Sequence, residues 1–218
     1  IAMKLLRTFY TALAALLLGL ATPLAQAQAT AAGYVTRVRG DVQVLVDAKV
    51  QTLALGSALF LGQRLSTGPD ARLEARMKDG SVLTLGERTE FVIEQVAGSS
   101  AQAADSRFSL LKGVFRAITG KLANGQPASS WQVHTPVAII GVRGTELWGG
   151  FDLLGAGKDT LDVVMLDGKG VYVVNPQGIT ELLRGGDGTT VKGEAAPPVG
   201  LVPWGEAKLQ AAQRSVGW

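Results

Sequence analysis

The chain has 218 residues, 47% apolar and 18% charged, with a formal net charge of +3 at pH 7, no cysteine and a single histidine. That length suits one domain with a full core, or two small ones, and the apolar content excludes intrinsic disorder. Without cysteine there is no disulfide, thiolate metal site, cysteine nucleophile or lipoprotein anchor, and one histidine cannot build a multi-histidine metal cluster.

Lys4 and Arg7 precede an apolar run from Phe9 to Ala21, followed by Pro23 and the small-x-small triplet Ala25-Gln26-Ala27. This is the three-part pattern of a secretory signal peptide, and it predicts cleavage between Ala27 and Gln28. The run is shorter than the ~20 residues a spanning helix needs, so no stable membrane span is expected once residues 1–27 are removed. Those residues hold two basic groups and no acidic one, which takes 21 basic residues down to 19 against 18 acidic ones. The processed chain is nearly neutral and keeps no long Lys/Arg run, so nucleic acid is not an expected partner.

Beyond residue 30 the dominant period is two, the mark of half-buried strands. Val42, Val44 and Val46 alternate with Asp41, Gln43 and Leu45. Arg72, Glu74, Arg76 and Lys78 alternate with Leu73, Ala75 and Met77 ahead of Asp79-Gly80. A two-residue loop there would set Leu83 and Leu85 opposite charged residues. A three-residue loop with Gly80 left-handed pairs Ala75 with Leu83 and Leu73 with Leu85, and keeps one face apolar. Glu90 to Gln95 reads as the next strand. Trp131–His134 and Val137–Ile140 read as extended runs parted by Thr135-Pro136, because a residue before proline is pushed away from the helical region. Leu161–Leu166 and Val171–Val174 flank Asp167-Gly168 and read as a second hairpin.

Residues 97–106, 120–130 and 193–203 are rich in small, polar, Gly or Pro residues and are expected to be loops. A short helix is expected from Glu206 to Arg214, after Pro203. The organisation expected is thus a signal peptide (1–27), a β domain (28–192) and a Gly/Pro-rich tail with a short helix (193–218). The fold class is all-β: a twisted antiparallel β-sandwich or a β-helix-like stack of short strands, with that helix at the C-terminus.

Several phrases resemble the FecR-domain family of bacterial envelope proteins over about residues 33–175. They are Leu55-Gly56, Leu59, Gly62, Leu65 and Thr67-Gly68; Lys78-Asp79-Gly80-Ser81-Val82-Leu83-Thr84-Leu85; and Leu111-Lys112-Gly113-Val114-Phe115-Arg116. The most specific is Thr135-Pro136-Val137-Ala138-Ile139-Ile140-Gly141-Val142-Arg143-Gly144-Thr145. The family's namesake senses ferric-siderophore status for a sigma factor, through a cytoplasmic helical domain, one membrane span and a periplasmic β domain. Here a cleavable signal stands where the sigma-binding domain and span would be. The resemblance therefore implies the β domain and an envelope location, periplasmic or at the surface of a Gram-negative cell.

Within the fingerprint, Gly141 and Gly144 bracket Val142-Arg143 and allow a sharp turn or close packing. The guanidinium of Arg143 is expected to tie neighbouring turns together, the alternative being an anion site. Glu146, Trp148 and Phe151 follow and complete a speculative binding set with Arg143, an exposed Trp-Phe pair being suited to docking a protein or glycan; edge-of-core packing is the alternative for both rings. His134 is the only imidazole and no Gly-x-Ser-x-Gly nucleophile turn accompanies it. Glu87, Glu90 and Glu94 are the carboxylates that a glycosidase would need, although Glu90 and Glu94 on one strand face stand ~13 Å apart. Asp159, Asp162 and Asp167, with Gly185-Gly186-Asp187-Gly188, lack a calcium-loop spacing. The expectation is a non-catalytic binding domain without cofactor or metal, acting on an envelope protein or glycan. Its alternatives are a regulator of an iron-responsive sigma factor through an uncleaved N-terminal anchor, and an envelope glycan-active enzyme.

Overall fold

The computed structural model describes residues 30–218 apart from 47, 101, 122–124 and 127. The signal peptide and its cleavage point at Ala27 and Gln28 lie outside the described residues. No described helix is long and apolar enough to cross a membrane.

In chain order the strands are β1 (Gly33–Arg39), β2 (Val42–Val46), β3 (Lys49–Thr52), β4 (Ala58–Leu59), β5 (Arg64–Thr67) and β6 (Arg72–Met77). They continue with β7 (Val82–Leu85), β8 (Glu90–Gln95), β9 (Ser106–Lys112), β10 (Val114–Ile118), β11 (Trp131–His134) and β12 (Ile139–Val142). Then come β13 (Thr145–Phe151), β14 (Thr160–Gly168), β15 (Val171–Asn175), β16 (Gly178–Leu182), β17 (Asp187–Lys192), β18 (Val202–Pro203) and the helix α1 (Glu206–Val216). They form two sheets of nine strands, ordered β18-β17-β14-β13-β10-β7-β6-β1-β4 and β16-β15-β12-β11-β9-β8-β5-β2-β3. Only β9 and β11 pair in parallel among the described strands. The all-β reading holds, and both of its forms are visible. The sheets face each other as a sandwich, while the chain fills them in step, from the β3/β4 edge to the β16/β18 edge.

Period-two patterning sets the core. β6 turns Leu73, Ala75 and Met77 inward and Glu74 and Arg76 outward. Phe91 of β8 packs on Phe108 of β9 at 5.6 Å and on Phe115 of β10, in the opposite sheet, at 5.9 Å. Burying such a side chain contributes roughly 1.5–3 kcal/mol. The β6–β7 hairpin has the expected register, Ala75 opposite Leu83 and Leu73 opposite Leu85. Its Met77 N–H donates to the Ser81 carbonyl at 2.9 Å, and Gly80 is left-handed at φ 79°.

Two expectations are corrected. Asp167-Gly168 does not turn a hairpin: β14 lies in the first sheet between β13 and β17, and β15 lies in the second sheet between β12 and β16. Both edges of β14 are already occupied, so the chain must cross to the other sheet to find a partner. The run expected at Val137–Ile140 starts later, at Ile139. Thr135 closes a hairpin loop, its N–H donating to the Ala138 carbonyl at 2.9 Å and its hydroxyl accepting the Val137 and Ala138 N–H groups at 3.3 and 3.0 Å.

The C-terminal segment is part of the fold. Trp204 and the α1 residues Leu209, Ala212 and Val216 pack on Trp148, Val164 and Leu166, on the outer face of the first sheet. Trp148 Nε1 donates to Ser215 Oγ at 2.9 Å, and Lys208 Nζ meets the buried Asp162 at 2.6 Å. The helix runs Glu206–Val216, two residues past its expected end.

Because the chain passes repeatedly between sheets, its corners leave backbone groups that no ladder can pair, and a buried unpaired group is costly. Threonines answer this. Thr67 Oγ1 donates to the Gly86 carbonyl at 2.6 Å and accepts the Thr89 N–H at 2.9 Å. Thr89 Oγ1 in turn donates to the Val114 carbonyl at 3.1 Å and accepts the Val114 N–H at 3.0 Å. The corners after β5, β7 and β9 are thus sewn into one line. Thr89→Val keeps the shape and removes the hydroxyl, orphaning the Val114 N–H. Urea unfolding is expected to show a loss of about 1–3 kcal/mol, the cost of one unsatisfied buried donor.

Candidate functional site

The opposite line of corners carries the fingerprint. Thr145 Oγ1 lies 2.9 Å from the carbonyls of both Arg143 and Gly170, and it accepts the Gly170 and Lys169 N–H groups at 3.1 and 3.3 Å. Arg143 N–H donates to the Gly170 carbonyl at 3.0 Å. Thr119 Oγ1 donates to the Thr145 carbonyl at 3.1 Å and accepts its N–H at 2.7 Å. One buried hydroxyl therefore binds the β12–β13 corner to the β14–β15 corner, and a second ties on the end of β10.

The two glycines have different tasks. Gly144 is left-handed at φ 58° and turns the chain from one sheet to the other. At Gly141 an added Cβ would fall 1.8 Å from Cζ of Tyr172, so the tyrosine ring rests on bare backbone. The Tyr172 hydroxyl accepts from Gln132 Nε2 at 3.0 Å.

Arg143 departs from the expectation that it ties the turns. Its guanidinium is exposed and makes no hydrogen bond or ion pair among the described residues, because Thr145 already satisfies the neighbouring carbonyls. Lys169, also exposed, stands beside it across the tied corners, and its ammonium likewise has no partner there. Behind them a cavity of about 310 Å³ opens into the end of the sandwich, bounded by Trp131, Val142, Ala128, Gly120 and Asp79. Asp79 is buried and its carboxyl oxygens accept from Ser81 N–H and from the hydroxyls of Ser81 and Ser106. The tip of the β6–β7 hairpin packs backbone to backbone on the segment after β10: a Cβ on Gly80 would meet the Lys121 carbonyl at 2.4 Å. Two phrases distant in sequence, the Asp79-Gly80 turn and the Arg143-Gly144 corner, thus bound one cavity.

The remaining members of the speculative binding set are dispersed. Glu146 pairs with Arg116 at 2.7 Å on the outer face of the first sheet. Trp148 is fully buried beneath α1 and Phe151 is 8% exposed, so neither ring is presented to a ligand and the edge-of-core alternative describes both. A larger groove, of about 660 Å³, runs between α1 and the first sheet. Its cations are committed, Arg116 to Glu146 and Arg37 to the Trp218 ring at 4.0 Å.

His134 Nε2 lies 3.2 Å from Gln132 Oε1 on the outer face of the second sheet. Glu90 pairs with Lys112 at 2.7 Å, and Glu94 accepts from the Ser109 hydroxyl. The Asp70 backbone N–H, with Arg88 and Arg72 nearby, holds the Glu87 carboxyl below its usual range. A glycosidase's general acid needs a shift in the opposite direction. Asp162 is spent on Thr190 and Lys208. Among the described residues no three His, Asp or Glu side chains gather in a way that would hold a metal ion. The contribution of Lys169 is not legible in the sequence, where Asp167-Gly168 reads as a hairpin turn and hides the corner after it.

A two-sheet β domain with a cationic corner is what fold and site define. Residues 63–169 match the family model described as FecR protein. Two crystal structures of a proposed anti-sigma factor from Parabacteroides distasonis, at 1.65 Å and 2.50 Å resolution, share the fold with a TM-score of 0.52 at 15% identity. The alignment covers 67% of this chain and 62% of theirs, so the chain spans less than two thirds of their length. None of the curated proteins compared with it matches.

Gly141→Ala forces Tyr172 off the sheet and is expected to cost about 1–3 kcal/mol in a urea titration, in the range of overpacking. In a Tyr172→Ala background the same change should cost almost nothing. Equal costs in both backgrounds would refute this packing role.

Proposed function

We propose that the chain is an exported, non-catalytic binding domain of the bacterial cell envelope, working in envelope signalling or surface assembly by holding a partner at the Arg143–Lys169 corner. The observation that carries this reading is a pair of exposed cations without ionic partners among the described residues, on adjoining corners whose backbones the Thr145 hydroxyl ties together. Charge held on a rigid scaffold favours association, because little freedom is lost when a partner arrives. The titratable groups considered for catalysis are engaged with neighbours, which supports binding over turnover. The signal-peptide pattern of residues 1–27 supports export to the periplasm or cell surface.

Reversing both charges tests the corner. The Arg143→Glu, Lys169→Glu variant should keep the wild-type thermal midpoint, since both side chains are exposed, and lose its partner in pull-downs from envelope extracts. A partner, protein or glycan, recovered equally by wild type and variant would overturn the assignment.

The proposed anti-sigma factors of like fold favour a second reading, a regulator acting through an uncleaved N-terminal anchor. N-terminal sequencing of the cellular protein separates the two. A start at Gln28 is expected for the exported domain, and retention of residues 1–27 for the anchored regulator.

A further inference from the structure

We propose that the cavity behind Arg143 and Lys169 captures the C-terminal carboxylate of a partner peptide whose last side chain is apolar. This rests on reading the corner as a partner site and names the chemistry that it recognises.

The rim takes one anion. A planar guanidinium and an ammonium, both unpaired, match the two oxygens of a carboxylate, with Arg143 offering a bidentate fork. Glu181 lines the shallow crevice on the far side of these cations and forms no ion pair with either within 4 Å. The space behind the rim is unlike the rim. Trp131, Val142 and Ala128 give it apolar walls, and its volume of about 310 Å³ is that of a small ligand site. Such a space has room for an apolar side chain. Asp79 also borders the space, with its carboxyl held by the Ser81 N–H and by the hydroxyls of Ser81 and Ser106. Trp131 is 4% exposed, and its indole N–H has no acceptor among the described residues.

A chain end meets these demands within one residue, since its carboxylate and its side chain share a carbon.

The test is a titration of the purified chain followed by tryptophan fluorescence. The probes are N-acetyl-Gly-Gly-Leu with a free carboxylate, the same peptide amidated, and isovalerate. The free acid should saturate, and amidation should weaken binding at least about tenfold, the worth of a charge-assisted contact. Arg143→Ala and Lys169→Ala should each weaken it by a similar factor at unchanged thermal stability. Ala128→Trp, which fills the cavity and leaves the cations alone, should abolish it. Equal binding of acid and amide, or full binding by the double alanine variant, would overturn the proposal. Isovalerate binding as tightly as the peptide acid would overturn the peptide end in favour of a free carboxylic acid. A chain that retains its envelope partner through Arg143 and Lys169 but binds no peptide acid would remove this inference and leave the partner-binding reading standing.

Discussion

Buried backbone at the corners between two sheets is the constraint on which this fold depends. A chain that fills two facing sheets in step must cross between them again and again, and each crossing brings N–H and C=O groups out of register with any ladder. Threonine is suited to this position because one hydroxyl both donates and accepts. Thr67 and Thr89 sew one line of corners, and Thr119 and Thr145 the other. The core of Phe91, Phe108 and Phe115 supplies the cohesion, while the threonines fix where each strand enters its sheet.

The same device produces the site. With its hydroxyl between two corners, Thr145 leaves the Arg143 guanidinium without a structural task and brings Lys169 beside it. Several charges elsewhere are paired or stacked. Glu146 takes Arg116, Glu90 takes Lys112, and Arg37 lies on the Trp218 ring. At the fingerprint corner two cations stand unpaired among the described residues beside a cavity, and electrostatics of that kind choose partners and speed their arrival more than they strengthen the fold.

The C-terminal segment gives the first sheet a second, smaller core. Trp148 and Trp204 meet edge to face at 6.1 Å beneath α1, and the buried Asp162 is neutralised by Lys208. This explains why Trp148 is interior, while Phe151 of the same strand is buried in the main core. The cover of Trp148 comes in part from residues more than fifty positions later, Trp204 and α1, and its indole N–H bonds Ser215, 67 residues away.

Much of the architecture was legible in the amino-acid sequence, because it is written locally. Alternation of Leu73, Ala75 and Met77 with charged residues fixes a strand and its buried face, and a turn that must keep that face apolar fixes the β6–β7 register. The glycines at 141 and 144 announce positions where a side chain has no room or the backbone turns left-handed. The family phrases identify the domain, although residues 1–29 fall outside the described structure. Which sheet each strand joins was decided only by the tertiary structure. Asp167-Gly168 has the chemistry of a hairpin turn, yet β14 has no free edge, and that depends on strands far away in the chain. The fate of Arg143 was decided in the same way. Its sequence context offers carbonyls to bind, but the Thr145 hydroxyl reaches them first, which leaves the arginine facing solvent beside a lysine that sequence spacing gave no reason to place there.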